Sequence, residues 1–277
     1  MASSDESAGL DVVTTGPGSK GRHRAPAATA RGSWTVRADA VVEPFTRFAA
    51  TYATQHPGRP ISILQAGCTT VGSELDLAAL RAAGADLQVS RADDDCQAAQ
   101  AVADSRSELQ SATLAELRQL PLAPRSLDIV QCSMLLHRID NAELVLGRLV
   151  GALRPGGLLL LRTADRETAA GALDRMLPQF ARVLAWRIVK PGEPGPFPAR
   201  YEPIASAHGI EAFAGRHGLL ILHRQACRPS RKQGWMAVAQ AGRRLVGVLS
   251  GGHFTSGHDE LRYVIRRPED QFARVLQ

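Results

Sequence analysis

Cysteine is scarce in this sequence, and no two cysteines have the spacing of a redox or metal site. The four residues are Cys68, Cys96, Cys132 and Cys227, with no Cys-x-x-Cys pair among them. This usage is typical of reduced thiols and argues against a disulfide framework or a zinc site. The sequence therefore predicts a cytoplasmic protein that binds no metal through cysteine.

Long apolar runs are missing as well. The longest surrounds Leu158 to Leu161 and is far too short to cross a bilayer. No hydrophobic stretch lies near the N-terminus, so we expect no signal peptide. The hydrophobic content of 44% fits a globular protein, and 277 residues suffice for one large domain or two small ones.

Positive charge is concentrated near the C-terminus. The chain has a net charge of +6, and residues 214–277 carry 11 Lys/Arg against 4 Asp/Glu, a local charge of +7. Within them, residues 228–250 predict a basic helical insert before the last strand. Such a segment can bind nucleic acid or rest on an anionic membrane. Its glycines, Gly242 and Gly247, leave little apolar bulk, which favours packing on the sheet. We therefore favour neither nucleic acid binding nor stable membrane association.

The order of the elements predicts an α/β domain. Residues 1–33 are rich in small and polar residues and predict a disordered tail, which leaves 34–277 as a single domain. Apolar periodicity predicts a helix from about Val36 to Gln55, kinked at Pro44. Strands then alternate with helices, which is typical of a doubly wound parallel sheet with helices on both faces. The predicted strands are 61–64, 85–90, a weak 109–114, 127–132, 158–162, 219–224 and 261–268.

The stretch Ile61 to Gly72 organises the rest of the chain. A short apolar strand ends in small residues at Gly67 and continues into a helix, for which Ser73 is the predicted cap, with Asp76 three residues later. A tight turn between a strand and a helix lets the backbone approach a nucleotide-like ligand at the carboxyl ends of the strands. A phosphate-loop lysine and a Gly-x-Gly-x-x-Gly fingerprint are both missing, which argues against nucleoside triphosphates and NAD.

Three segments resemble the class I S-adenosylmethionine-dependent methyltransferases of the small-molecule type. Residues 63–70, Ile-Leu-Gln-Ala-Gly-Cys-Thr-Thr, are similar to the family's first motif. Residues 115–130 resemble its adenine-side motif and fourth strand, and residues 153–161 resemble the turn into its fifth strand. The resemblance covers roughly Val36 to Pro268. It implies a Rossmann-like, seven-stranded, mostly parallel sheet whose last strand is antiparallel.

The resemblance also implies the cofactor, S-adenosylmethionine, and a set of residues that bind it. Asp93 or Asp94 is expected at the ribose hydroxyls, while Glu116 and Leu117 are expected at the adenine. The alternative for the acidic cluster, Asp93 to Asp95, is a solvated turn or a helix cap. The cluster lacks the spacing of an ion loop, so we expect no metal there. The full predicted set is Gln65, Gly67, Thr69, Asp93, Asp94, Glu116, Leu117 and Gln131.

The first motif departs from the family pattern. Gly67 is kept, but Thr69 and Val71 stand where further glycines are usual, and Gln65 replaces an acid. A side chain at Thr69 narrows the approach of the backbone to a ligand. Two functions therefore stay open: methyl transfer to a small-molecule acceptor, or a non-catalytic relative that acts as a binding or scaffold module.

His137 is the one candidate general base that the sequence offers. It follows a Met-Leu-Leu segment after the fourth strand, where the family often has a histidine. A packed or helix-capping histidine is the alternative. Methyl transfer from a sulfonium needs little acid–base help, because alignment of donor and acceptor supplies much of the acceleration. The acceptor and the oligomeric state do not follow from the sequence.

Overall fold

A computed structural model describes residues 36–37, 43–67, 75–92, 122–189, 198–227 and 257–269. They form one seven-stranded sheet with helices on both faces. The strands are β1 (Val36–Arg37), β2 (Ile61–Ala66), β3 (Leu87–Ala92), β4 (Leu127–Ser133), β5 (Leu153–Ala164), β6 (Leu220–Cys227) and β7 (Glu260–Arg266). The helices are α1 (Glu43–Gln55), α2 (Leu77–Ala82), α3 (Ala142–Ala152), α4 (Ala169–Met176), α5 (Gln179–Val189) and α6 (Ala207–Arg216), with a 3₁₀ turn at Pro203–Ala205. None of these helices has the length and apolar content needed to span a membrane.

The strand order is β1-β6-β7-β5-β4-β2-β3. Strand β7 runs antiparallel to both of its neighbours, and every other pair is parallel. The predicted fold class, a mostly parallel sheet with an antiparallel last strand, is confirmed. Because parallel strands end on the same side, one edge of the sheet collects the ends of β2 to β6 and the start of β7. We call it the carboxyl edge; its residues are Gly67, Ala92, Ser133, Ala164, Cys227 and Glu260.

Side chains that alternate along the central strands build two apolar layers. Ile63 and Ile129 point to the face covered by α1 and α2, whereas Leu64 and Val130 point to the face covered by α3 and α6. All four are at most 1% exposed. Strands buried on both faces read as continuous apolar runs, which is why the sequence shows them clearly.

The N-terminal end of the described chain differs from the prediction. Val36–Arg37 is a strand paired in parallel with β6, where a helix was expected to begin. The helix starts instead at Glu43, so Pro44 lies in its first turn and does not kink it. Proline is tolerated there because the first amide groups of a helix have no intrahelical partner. The weak third strand predicted at residues 109–114 lies outside the described residues.

Two further boundaries differ from the predicted ones. Asp76, not Ser73, caps α2, because its side chain accepts a hydrogen bond from the amide of Ala79 at 2.9 Å. Strand β5 begins at Leu153, before the Pro-Gly-Gly turn that was expected to precede it. The turn lies where the pairing between β4 and β5 shifts in register: Leu127 pairs with Leu153, and Ile129 pairs with Leu158. A bulge of this kind absorbs residues that cannot join a regular ladder.

A buried carboxylate connects the strands at the ends opposite the carboxyl edge. Asp128 is fully buried and accepts hydrogen bonds from the Tyr52 hydroxyl at 2.8 Å and from the Ser62 amide at 2.9 Å. Arg59 and Arg154 each approach it to 2.6 Å. The network joins the amino-terminal ends of β2, β4 and β5 to the last turn of α1. Its role is therefore structural, and it lies at the opposite ends of the strands from the carboxyl edge.

Candidate functional site

Gly67, the residue that directly follows β2, lies against the ends of the two neighbouring strands. The amide of Gly67 donates to the carbonyl of Ala92 at 3.0 Å, and Gly67 has a φ of +72°. A Cβ on this residue would lie 2.5 Å from the carbonyl oxygen of Ser133 and 2.8 Å from the Cβ of Leu135. Glycine is thus required by the backbone conformation and by the space between β2 and β4. These two reasons hold with or without a ligand.

A row of polar side chains crosses the sheet just before the carboxyl edge. Gln65 is in register with Arg91 on β3 and with Gln131 on β4. Gln65 Nε2 donates to Gln131 Oε1 at 3.0 Å, and Arg91 Nε donates to Gln65 Oε1 at 2.9 Å. Gln65 and Gln131 are at most 1% exposed, so the structure brings two predicted site residues together inside the sheet. Their contact with a cofactor stays a prediction.

Arg91 is the member of this row that sequence reasoning did not place in the site. Ser90 and Arg91 lie near the end of β3, the strand at whose end the resemblance to the methyltransferase family implies an acid. A guanidinium has only donors and cannot accept hydrogen bonds from ribose hydroxyls. The signal was present in the sequence as a basic residue at a position usually acidic, but only strand register shows that Arg91 reaches Gln65.

Five predicted cofactor residues lie outside the described part of the chain, and so does the neighbouring Asp95. They remain predictions, and so does the absence of a metal at the acidic cluster. Among the residues that the structure describes, no group of three or more His, Cys, Asp or Glu side chains has the arrangement of a metal site. The five residues are Thr69, Asp93, Asp94, Glu116 and Leu117.

His137 packs against Arg200 and Tyr201, in the chain after α5. Its carbonyl accepts hydrogen bonds from the amides of Arg200 and Tyr201 at 2.9 and 3.0 Å, and its ring lies 5.3 Å from the Tyr201 ring. Its Nδ1 is buried and has no hydrogen-bond partner. Burial, reinforced by the positive charges of Arg138, Arg162 and Arg182, lowers the pKa of His137 to about 3. A histidine with so low a pKa is neutral near pH 7 and is a weak base. This favours the alternative of a packed histidine.

Residues 201 and 202 connect the chain after α5 to the end of β4. Tyr201 is 6% exposed and has a φ of +47°. Burial raises its pKa, and a hydrogen bond with Asp174 raises it further. Glu202 accepts hydrogen bonds from the amides of Asn141 at 2.6 Å and Ala142 at 2.8 Å, and so caps α3. No local sequence pattern shows these contacts, because about sixty residues separate Glu202 from the helix it caps.

A second polar cluster lies at the carboxyl edge, between β5 and β7. Asp165 directly follows β5 and accepts a hydrogen bond from the amide of Glu167 at 2.8 Å; its Oδ2 lies 2.8 Å from His258 Nε2. Arg162 and Glu260 form a two-point ion pair, with Nε and Nη2 each 2.9 Å from a carboxylate oxygen. The ion pair and the Asp165–His258 contact connect the antiparallel β7 to β5 beside the end of β4. The sequence analysis identified none of them.

The described part of the site is partly suited to S-adenosylmethionine. The Gly67 turn brings backbone to the carboxyl edge, and Gln65 and Gln131 supply amide groups just behind it. No carboxylate, however, ends β2 or β3 within the described residues.

The comparisons with known proteins agree with this fold. Residues 64–161 match the family model of the methyltransferase domain. A crystal structure described as a sarcosine dimethylglycine methyltransferase from Galdieria sulphuraria has a TM-score of 0.51 and 13% identity, and covers 82% of this chain and 85% of its own. One described as an S-adenosylmethionine-dependent methyltransferase from Listeria monocytogenes has a TM-score of 0.50 and 14% identity, with 81% and 99% covered. At these identities the structural likeness shows the fold. No curated protein is significantly similar to the chain in sequence.

Proposed function

We propose that the chain is a class I S-adenosylmethionine-dependent methyltransferase that transfers a methyl group to a small-molecule acceptor, because residues 64–161 match the family model of the methyltransferase domain. The observation that carries this proposal is where the match falls. It runs from β2 to β5 and so contains the Gly67 turn and the end of β4, which meet at the carboxyl edge. Open α/β sheets bind their ligands outside the carboxyl ends of the strands.

The proposed binding residues divide between the described site and its surroundings. Gly67 would present backbone to the methionine end of S-adenosylmethionine, with Thr69 beside it. Asp93 or Asp94 would accept hydrogen bonds from the ribose, and Glu116 would accept one from the adenine amino group, next to Leu117. Gln131 would face the reacting methyl group from the end of β4. When bound, the cofactor supplies a methyl group on a positively charged sulfur.

The chain's contribution to catalysis would be alignment and exclusion of water. Holding donor and acceptor in line removes much of the entropic barrier to a bimolecular reaction. A general base is not required when the acceptor is already nucleophilic. His137, neutral and with a pKa of about 3, would act as a packing residue under this proposal. A cytoplasmic location fits the buried thiols of Cys132 and Cys227.

One observation favours a second function, a non-catalytic binding or scaffold module. Arg91 donates to Gln65, and neither position carries the acid that the family resemblance implies. The hydrogen bond gives the buried side chain of Gln65 a partner that belongs to the chain itself. A site rebuilt in this way can keep the fold while it loses affinity for the cofactor.

Calorimetric titration with S-adenosylmethionine and S-adenosylhomocysteine distinguishes the two functions. Binding in the micromolar range supports the methyltransferase, and no heat at high ligand concentration supports the scaffold. Glu116→Ala is the variant that tests the adenine contact. It should weaken binding by about 1–3 kcal/mol, the cost of leaving a buried polar group unsatisfied.

Thr69→Gly supplies a second variant for the same titration. It should keep the fold and preserve or tighten binding, because a glycine lets backbone approach the ligand. A large loss of affinity would show that the threonine hydroxyl contacts the ligand. Unchanged affinity of folded Glu116→Ala protein would move the adenine site elsewhere.

A further inference from the structure

Three large apolar side chains are largely exposed on the helices that follow β5. Met176 at the end of α4 and Phe180 and Leu184 on α5 are 75%, 77% and 62% exposed. They are spaced four residues apart, so Phe180 and Leu184 lie one above the other on one side of α5. We call these three residues the apolar stripe. Apolar side chains exposed in a row, rather than singly, are typical of an interaction surface.

The apolar stripe is not the inward face of a loosely placed helix. Helix α4 already buries Ala169, Gly171 and Ala172 against the domain. Arg182 on α5 bonds Asp174 on α4 through its Nε at 2.9 Å, which fixes the two helices to each other. Contacts on the side opposite the apolar stripe therefore determine which face of each helix is buried and which is exposed.

The charge around the apolar stripe is positive. Residues 169–189 contain three arginines and one aspartate, a net charge of +2, and the whole chain carries +6. Arg187 is exposed and lies seven residues after Phe180, on the same side of α5. The aspartate, Asp174, is already bonded to Arg182. Exposed apolar side chains beside an accessible arginine complement a surface with a negatively charged outer layer and an apolar interior beneath it.

We propose that the apolar stripe docks the chain weakly and reversibly on an anionic lipid surface, with Arg187 at the phosphate headgroups. Insertion would be shallow, because α5 lies along the surface and presents two side chains and α4 a third. A second copy of the chain fits the stripe less well. A stable protein interface buries about 800 Å² per partner, more than three side chains in one row supply.

This proposal revises the expectation from the sequence, which considered only the basic segment 228–244 as a membrane contact. The apolar stripe lies elsewhere, on the insert between β5 and α6. Docking through it requires neither S-adenosylmethionine nor an acceptor. A failure of the proposed methyl transfer would therefore leave the docking proposal intact, and the reverse also holds.

The test is co-sedimentation of the full chain with vesicles of phosphatidylcholine and phosphatidylglycerol, and with vesicles of phosphatidylcholine alone. We expect recovery on the anionic vesicles at low salt, and lower recovery as salt increases. The triple variant Met176→Ser, Phe180→Ser and Leu184→Ser should lower recovery by about tenfold or more, since apolar burial is lost. The matched control is Leu144→Ser, because Leu144 is 66% exposed on α3; it should leave recovery unchanged.

A spectroscopic variant tests insertion without relying on loss of binding. Phe180→Trp should show, relative to the wild-type chain, added fluorescence that shifts to shorter wavelength with anionic vesicles. Equal recovery of the wild type and the triple variant would overturn the proposal, and so would a Phe180→Trp signal that vesicles do not change. A dimer that the triple variant abolishes, without any vesicle binding, would overturn it in favour of a second copy.

Discussion

Arg91 Nε donates a hydrogen bond to Gln65 Oε1 at 2.9 Å, between two parallel strands whose residues stand in register. Both positions precede the carboxyl edge, where the family resemblance leads one to expect acids. Instead, an amide oxygen on β2 accepts a hydrogen bond from a guanidinium on β3. We therefore expect this pair to affect the affinity of the chain for S-adenosylmethionine.

Replacing Arg91 tests whether this pair weakens the cofactor site. Arg91→Asp restores an acceptor at the end of β3, and we expect S-adenosylmethionine to bind about tenfold more tightly, because a carboxylate accepts hydrogen bonds from ribose hydroxyls. Arg91→Gln removes the charge without adding a carboxylate and should change affinity less. Titration calorimetry measures both. Weaker binding by Arg91→Asp would mean that the arginine itself contacts the ligand.

Gly67→Ala should destabilise the fold through the space between β2 and β4. Its Cβ would lie 2.5 Å from the Ser133 carbonyl oxygen, at a φ of +72°. We expect the free energy of unfolding to fall by about 3 kcal/mol, from backbone strain and overpacking together. The control is Gly58→Ala, where φ is +81° and nothing lies within 4 Å of the added atom. It should cost only the backbone strain, about 1 kcal/mol, in urea unfolding. Equal losses would show that β4 yields to the added methyl group.

Asp128→Asn should lower the free energy of unfolding by about 3 kcal/mol, because it breaks a buried charged network. The control is Glu143→Gln, since the Glu143–Arg216 ion pair has both side chains more than half exposed. This change should cost no more than about 0.5 kcal/mol. Urea unfolding of both variants at neutral pH supplies the comparison. A loss at Asp128 no larger than at Glu143 would mean that water screens the network.

The same network predicts the response to acid. Burial alone would raise the pKa of Asp128, but hydrogen bonds from Arg59, the Ser62 amide and Tyr52 outweigh it, and the net pKa is lowered. The stability from this group is therefore present above the unfolded-state pKa of about 3.9 and is lost as pH falls below it. We expect the difference in stability between wild type and Asp128→Asn to shrink below about pH 4. A difference that stays constant into stronger acid would contradict the lowered pKa.

His137→Gln addresses the buried imidazole. The native pKa is about 3, whereas an unfolded chain takes up the proton near pH 6.5. The native state binds fewer protons in this interval, so the stability is present above about pH 6.5 and is lost progressively as pH falls toward the native pKa. Wild-type stability should therefore fall more steeply than that of His137→Gln between about pH 6 and pH 4, by up to about 1.4 kcal/mol per pH unit. Parallel curves would show that the imidazole is solvated in solution.

The amino-acid sequence by itself determined the fold class. Strands buried on both faces appear as apolar runs, and helix-period leucines before a Pro-Gly-Gly turn mark α3 and β5, so the alternation of elements is local information. The first-motif glycine was equally accessible from the pattern of strand, small residues and helix. The structure supplies the physical reason for it, a φ of +72° and a close approach to β4. The order of those elements also carried the resemblance to the methyltransferase family.

Only the tertiary structure decided which side chains meet. Gln65 and Arg91 are 26 residues apart, and Glu202 and Ala142 are 60 apart, so register and packing, not local spacing, create these contacts. The start of α1 was misjudged for a related reason: Val36–Arg37 pairs with the distant β6 and leaves the helical pattern. The apolar stripe likewise needed the fold, because Met176, Phe180 and Leu184 have the spacing of core residues in the sequence. Burial depends on neighbours that are brought together by distant parts of the chain, and a local pattern does not contain them.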